Sequence, residues 1–192
     1  GLILSGLYPI FQSTPHFKPD SFSIIGTYGT GKSSFIMALE KGLRGKDTSL
    51  VNNRSVFFGL DSFYLLNIVG EYASLQRILA NKLNTENNNA LDALKQYCKR
   101  AEAKNKAVII VVDEFGKVLE HAAKNNPEEE LYFIQQFCEI LNDHRRKAIL
   151  LTTLHQNFSS YASKLSESQR QEWQKVKGRF KEITFVEPIE QI

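Results

Sequence analysis

Eight residues, Gly26-Thr27-Tyr28-Gly29-Thr30-Gly31-Lys32-Ser33, restrict this chain more than any other stretch, because they fit the pattern G-x-x-x-x-G-K-[ST] and follow directly on the apolar run Phe22-Ser23-Ile24-Ile25. A triphosphate needs several backbone N–H groups converging on its oxygens, and only a loop of little side-chain bulk wraps that closely. Gly26, Gly29 and Gly31 supply the freedom. Lys32 would reach the β- and γ-phosphates, and Ser33 would ligate Mg²⁺ through its hydroxyl. After Ser33 the apolar positions Phe35, Ile36, Ala38, Leu39 and Leu43 recur at helical spacing. Strand, loop and helix therefore follow in the order the motif requires, with the positive end of the helix at the anion. The expected nucleotide-binding set is Gly26, Thr27, Tyr28, Gly29, Thr30, Gly31, Lys32, Ser33 and Ser34.

Five short apolar or β-branched runs, at 22–27, 55–60, 107–112, 148–153 and 183–186, alternate with helical patterns, the signature of a parallel sheet between helices. The third run is continuous in Val and Ile, as a strand buried on both faces should be. Helices are expected over 64–83 and 90–103, separated by an Asn/Thr-rich loop at 84–89. A further helix opens at Asn126-Pro127-Glu128-Glu129-Glu130, with a cap, a proline at the first helical position and acids in the first turn. Phe158, Tyr161, Leu165, Gln169, Trp173 and Val176 step by three or four residues and predict one long amphipathic segment with Trp173 in the core. The first twenty residues, with Pro9, Pro15 and Pro19, match no element.

At 192 residues, 42% of them apolar, the chain is long enough for one full core and short for two, so 1–192 is expected to be a single domain. The absence of a starting Met, and an ending directly after a strand-like run, suggest a module cut from a longer protein. No apolar stretch approaches the roughly 18 residues of a membrane helix, and no basic-flanked leader opens the chain. Cys98 and Cys138 have no partner pattern, which points to two buried thiols and a reducing cytoplasm. A net charge of +3 and a pI near 8.8 do not announce a nucleic-acid surface, although basic clusters occur at 41–46, 144–147 and 175–181.

The second chemical signal is Val108-Ile109-Ile110-Val111-Val112-Asp113-Glu114, a buried strand delivering two carboxylates at its C-terminal end, where open α/β sheets bind ligands. Asp113 would hold the Mg²⁺, directly or through water. Glu114 would polarise the water that attacks the γ-phosphate.

With the loop at 26–33 as Walker A, Asp113-Glu114 as Walker B and the polar strand end Leu150-Leu151-Thr152-Thr153, residues 22–188 resemble the AAA+ and related STAND class of P-loop ATPases. The resemblance implies a three-layer α/β P-loop NTPase sandwich whose mostly parallel five-stranded sheet has strand order 5-1-4-3-2, with helices on both faces. It also implies ATP as nucleotide, assembly into a homo-oligomer or with other domains of a parent chain, and a sensor 1 residue at the tip of the fourth strand. Thr153 matches best there, with Thr152, His155 and Gln156 as rivals. Gly178-Arg179-Phe180 resembles the segment that carries the arginine finger, which would make Arg179 act on a neighbouring subunit; Glu182 stands where a second arginine often follows. Asp113-Glu114-Phe115-Gly116-Lys117 and His155-Gln156-Asn157-Phe158 resemble large prokaryotic AAA-type ATPases. The small helical lid of the class is not recognisable, and no Asn/Thr-Lys-x-Asp guanine-reading motif occurs. The leading expectation is a Mg²⁺-dependent ATPase with Glu114, Lys32, Thr153 and Arg179 as catalytic residues. The rivals are a nucleotide-dependent signalling switch with little hydrolysis and a DNA-engaging ATPase subunit.

Overall fold

The structure, a computed structural model, describes residues 20–45, 62–143 and 145–185. Five strands, β1 (Asp20–Ile25), β2 (Phe63–Val69), β3 (Ala107–Asp113), β4 (Ala148–Leu154) and β5 (Phe180–Thr184), form one sheet in the order β2-β3-β4-β1-β5. Every pairing is parallel, and the order is the expected 5-1-4-3-2. Among the described residues six α-helices accompany them: α1 (Lys32–Leu43), α2 (Leu75–Leu83), α3 (Ala90–Ala103), α4 (Phe115–Lys124), α5 (Pro127–Leu141) and α6 (Glu167–Lys177).

The apolar run of β3 serves both faces of the sheet. Val108, Ile110 and Val112 pack with Leu66, Ile68 and Leu150 beneath α2 to α6, whereas Ile109 and Val111 join Phe22, Ile24, Ile149 and Leu151 beneath Phe35, Ile36, Leu39 and Leu43 of α1. A central strand buried on both sides has no solvent face on which to place a polar residue, hence the absence of alternation. Because all five strands run the same way, their C-terminal ends share one edge, and that edge receives the loop after β1, the Asp113-Glu114 turn and the end of β4. Trp173 is fully buried as expected, and its Nε1 donates to the Phe158 carbonyl at 3.1 Å. Cys98 and Cys138 are free and buried, and burial pushes their thiols up to about 11 and about 12. Among the described residues no helix is long and apolar enough to cross a membrane.

The structure corrects several expected elements. The stretch 64–83 is not one helix: its first part is β2, Gly70 ends that strand, and Ser74 caps α2 by accepting the Gln76 N–H at 3.2 Å. A short apolar run reads equally as strand or helix; aromatic Phe63 and Tyr64 with β-branched Ile68 and Val69 decide for strand. The strand expected at 55–60 and the three prolines at 9, 15 and 19 lie outside the described residues. The segment 158–176 is broken into a short 3-10 turn, Phe158–Ala162, and α6, which starts behind a Ser166/Gln169 capping box. Gln169 therefore belongs to a helix start and not to an apolar stripe. The fifth strand begins at Phe180, in register with Ser21, and ends at Thr184 instead of spanning 183–186. Asn126 precedes α5 as expected, but its side chain makes no backbone cap; its amide donates to Glu129 Oε2 at 2.5 Å.

Candidate active site

The turn from β1 into α1 is shaped by backbone conformation. Gly29 and Gly31 have φ of 81° and 84°, and a Cβ at either position would meet nothing within 4 Å, so these glycines are required by dihedral and not by crowding. Gly31 stands at the N-terminus of α1 without a side-chain cap, and the first turn carries no acid, whereas α5 carries Glu128, Glu129 and Glu130 there. The amides and positive dipole end of α1 are thus left for an external anion. Lys32 is buried, its Nζ donating to the carbonyls of Gly26 and, at 2.8 Å, of Thr27, with Thr30 Oγ1 at 3.4 Å. Burial draws its ammonium below the ordinary lysine value, against the pull of Asp113 and Glu114.

Across the cleft, β3 ends in Asp113 and the chain turns sharply at Glu114, which has φ 57° and ψ 34°. Of the four non-glycine residues with positive φ among the described residues, Asn84, Asn105 and Asn126 are of the type that tolerates it; Glu114 is the fourth. Holding a glutamate there costs roughly 1–3 kcal/mol and requires a surrounding that over-determines it. That surrounding is visible. The Glu114 N–H donates to Asp113 Oδ1 at 3.0 Å and to Thr153 Oγ1 at 2.8 Å, and the Thr153 hydroxyl donates to Asp113 Oδ1 at 2.5 Å. Gly70 N–H holds the Asp113 carbonyl at 2.7 Å from the end of β2. A Cβ on Gly70 would overlap the Glu114 carbonyl oxygen, a backbone atom that cannot swing aside. Gly70→Ala is therefore expected to lower stability by about 1–3 kcal/mol through overpacking, and to reduce any turnover that depends on Glu114. Denaturant melts and a rate assay check both, and an unchanged variant would contradict the close approach.

The Glu114 carboxylate lies between Lys117 and His155. Its Oε2 is ion-paired with Lys117 one helical turn on, and its Oε1 is 3.9 Å from His155 Nε2. The His155 ring stacks on Tyr28 of the glycine loop, centroids 3.6 Å apart and planes 20° apart. Burial, and then Lys32, lower its pKa below the ordinary histidine value, against the pull of Glu114 and Asp113. Tyr28, Gly29, Gly31, Lys32, Ser33, Ser34, Asp113, Glu114 and His155 together line one cleft of about 270 Å³.

Of the residues expected from sequence, Gly26, Thr27 and Thr30 shape the loop behind Lys32 instead of lining the cleft. Among the candidates at the β4 tip, Thr152 is fully buried and bonded within the sheet, its Oγ1 2.8 Å from Ser23 Oγ and 3.1 Å from the Phe22 carbonyl. Thr153 fastens the carboxylate turn and His155 faces the cleft, while Gln156 is exposed. Arg179 lies away from the cleft, paired with Glu139 Oε1 at 2.6 Å. Gly70, Lys117 and Tyr161 are not among the site residues expected from sequence. Tyr161, whose hydroxyl accepts the backbone N–H of His155 at 3.4 Å and fills the space beside Gly116, could have been read only from the fold.

The family profile described as "ATPase family associated with various cellular activities (AAA)" matches residues 22–176, from the first residues of β1 to the end of α6. The chain belongs to the AAA family. Among solved structures it is similar to the Aeropyrum pernix ORC2 protein in ADPNP–ADP complexes, with a TM-score of 0.58 at 15% identity over 96% of this chain and 46% of that one. Cdc6p from Pyrobaculum aerophilum gives 0.53 at 15% identity, covering 96% and 44%. Drosophila ORC bound to GC-rich DNA and Cdc6 gives 0.50 at 9% identity, covering 96% and 28%. At these identities the likeness is one of fold, and this AAA chain spans less than half the length of each. No curated protein sequence matches it.

Proposed function

We propose that this AAA module binds Mg²⁺–ATP in the cleft between α1 and Asp113-Glu114, hydrolyses it, and couples its nucleotide state to conformational change in a larger assembly. One observation carries the reading: Lys32, Ser33, Asp113 and Glu114, eighty residues apart in sequence, line the same cleft. The residues also suit the group. Ser33 offers a hydroxyl and Asp113 a carboxylate, the hard oxygens Mg²⁺ takes, and the left-handed glycines turn backbone amides toward an anion. Mg²⁺, when bound by Ser33 and Asp113, would neutralise charge on the β- and γ-phosphate oxygens.

The remaining steps belong to the chain. Lys32 exchanges its carbonyl partners for phosphate oxygens, a gain because a charge-assisted bond to an anion is stronger than one to a neutral carbonyl. Glu114 accepts a proton from water as the water oxygen bonds to the γ-phosphorus and the bond to the bridging oxygen breaks, releasing ADP and phosphate. Thr153 holds Asp113 and Glu114 in mutual register. The test is titration calorimetry of ATP with and without Mg²⁺, together with steady-state turnover. Lys32→Ala should weaken ATP binding by about 10- to 100-fold, the worth of a charged hydrogen bond; binding of equal strength in that variant would remove the cleft from the reading.

A further inference from the structure

Charge is unevenly spread over the described surface. The edge of the sheet where the strands begin, opposite the nucleotide cleft, gathers Arg44 at the end of α1, Arg100, Lys104 and Lys106 around the end of α3, and Arg145, Arg146 and Lys147 before β4. They form one neighbourhood. The Lys104 and Lys106 ammonium groups lie 5.8 and 5.4 Å from the centroid of the Tyr64 ring, Tyr64 sits 5.5 Å from the Tyr97 ring, and Arg44 and Arg100 both act electrostatically on Tyr97. Lys147 adjoins through its carbonyl, which accepts the Val108 N–H at 2.8 Å.

Three carboxylates answer these seven cations. Glu40 pairs with Arg44 at 3.0 Å, Asp143 with Arg145 at 2.8 Å and Glu102 with Arg146 at 3.2 Å. No carboxylate among the described residues pairs with Arg100, Lys104, Lys106 or Lys147. Seven cations against three paired carboxylates leave this edge basic among the described residues. Among the described residues the exposed large apolar side chains, Tyr28, Met37, Val69, Tyr72 and Tyr132, all lie elsewhere. A folded protein partner is gripped by apolar anchors and a membrane by apolar insertion, and the described residues of this edge offer neither. A polyanion gripped through its charges needs no such anchor.

We propose that this edge binds the phosphodiester backbone of a nucleic acid. The contact carries no base readout, and it leaves the nucleotide cleft on the opposite edge open. Two polymers share that chemistry, and each has an arm of the test: fluorescence anisotropy of a labelled DNA duplex of about 20 base pairs, and of an RNA strand of similar length, measured without ATP. With four unpaired cations engaged, affinity for at least one polymer should fall about a hundredfold between about 50 and about 200 mM salt. Lys104→Gln, Lys106→Gln and Lys147→Gln combined should weaken binding at the lower salt at least tenfold and flatten the log–log salt slope by about three. The corresponding Lys→Arg triple variant should bind like the parent, which separates loss of charge from loss of fold. Lys175→Gln with Lys177→Gln, in a different basic cluster, should leave binding unchanged. Lys32→Ala should also bind normally, so failure of the ATPase reading and failure of this one are distinguishable. Absence of binding to both polymers at the lower salt, a Gln triple variant that binds as tightly as the parent, or equal affinity for poly-glutamate of matched charge would each overturn the assignment.

Discussion

Glu114→Gln should keep ATP affinity within a few-fold of the parent while lowering turnover by about 10² to 10⁴, the range for loss of a positioned general base. The amide preserves the size of the side chain and the bonds that fix the turn, since those run through the backbone N–H of residue 114 and not through its carboxylate. It loses the ion pair with Lys117, whose lysine end reaches solvent while the Glu114 Oε2 is buried. A companion substitution exposes the cost of the geometry. At φ 57° asparagine is better tolerated than glutamate, so Glu114→Asn should raise stability by roughly 1 kcal/mol while abolishing turnover. Turnover within threefold of the parent in the Gln variant would remove Glu114 from the chemistry. A less stable Asn variant would show that the turn is not strained.

That left-handed glutamate marks how far sequence reasoning reached. The glycine loop, Lys32, Ser33 and the acids after the Val/Ile run were legible because each is a local pattern whose spacing follows from one turn, one helix or one strand end. The sheet order matched because the resemblance implied it, although the strand in the second position, Phe63–Val69, falls mostly within a stretch expected to be helix. Phe63–Val69 is too short for its periodicity to separate strand from helix, and the signals that bound it, Gly70 and the Ser74 cap, lie just beyond it. What could not be read were contacts between distant segments. Gly70 is needed because a backbone more than forty residues later approaches it, and Tyr28 meets His155 only once β1 and β4 are neighbours. Such pairings have no one-dimensional period.

Arg179 presents the sharpest choice between a large effect and almost none. It sits beside β5, held by Glu139 of α5, and is not among the residues lining the cleft of its own chain. If its only duty is that exposed ion pair, Arg179→Ala should cost at most about 1 kcal/mol of stability and leave turnover unchanged. If it instead reaches the transferring phosphate of a neighbouring subunit, the same substitution should lower kcat by about 10³ to 10⁵, and the rise of specific activity with protein concentration should vanish. We expect the second result. Mixing supplies the decisive measurement, because Arg179→Ala keeps an intact cleft and Glu114→Gln keeps an intact arginine. Each variant alone is then inactive, yet a mixture contains junctions where the arginine of one meets the cleft of the other, and turnover should reappear in proportion to those junctions. A mixture as inactive as its components would mean that Arg179 does not act between subunits, and a fully active Arg179→Ala protein would reduce it to the strap between α5 and β5.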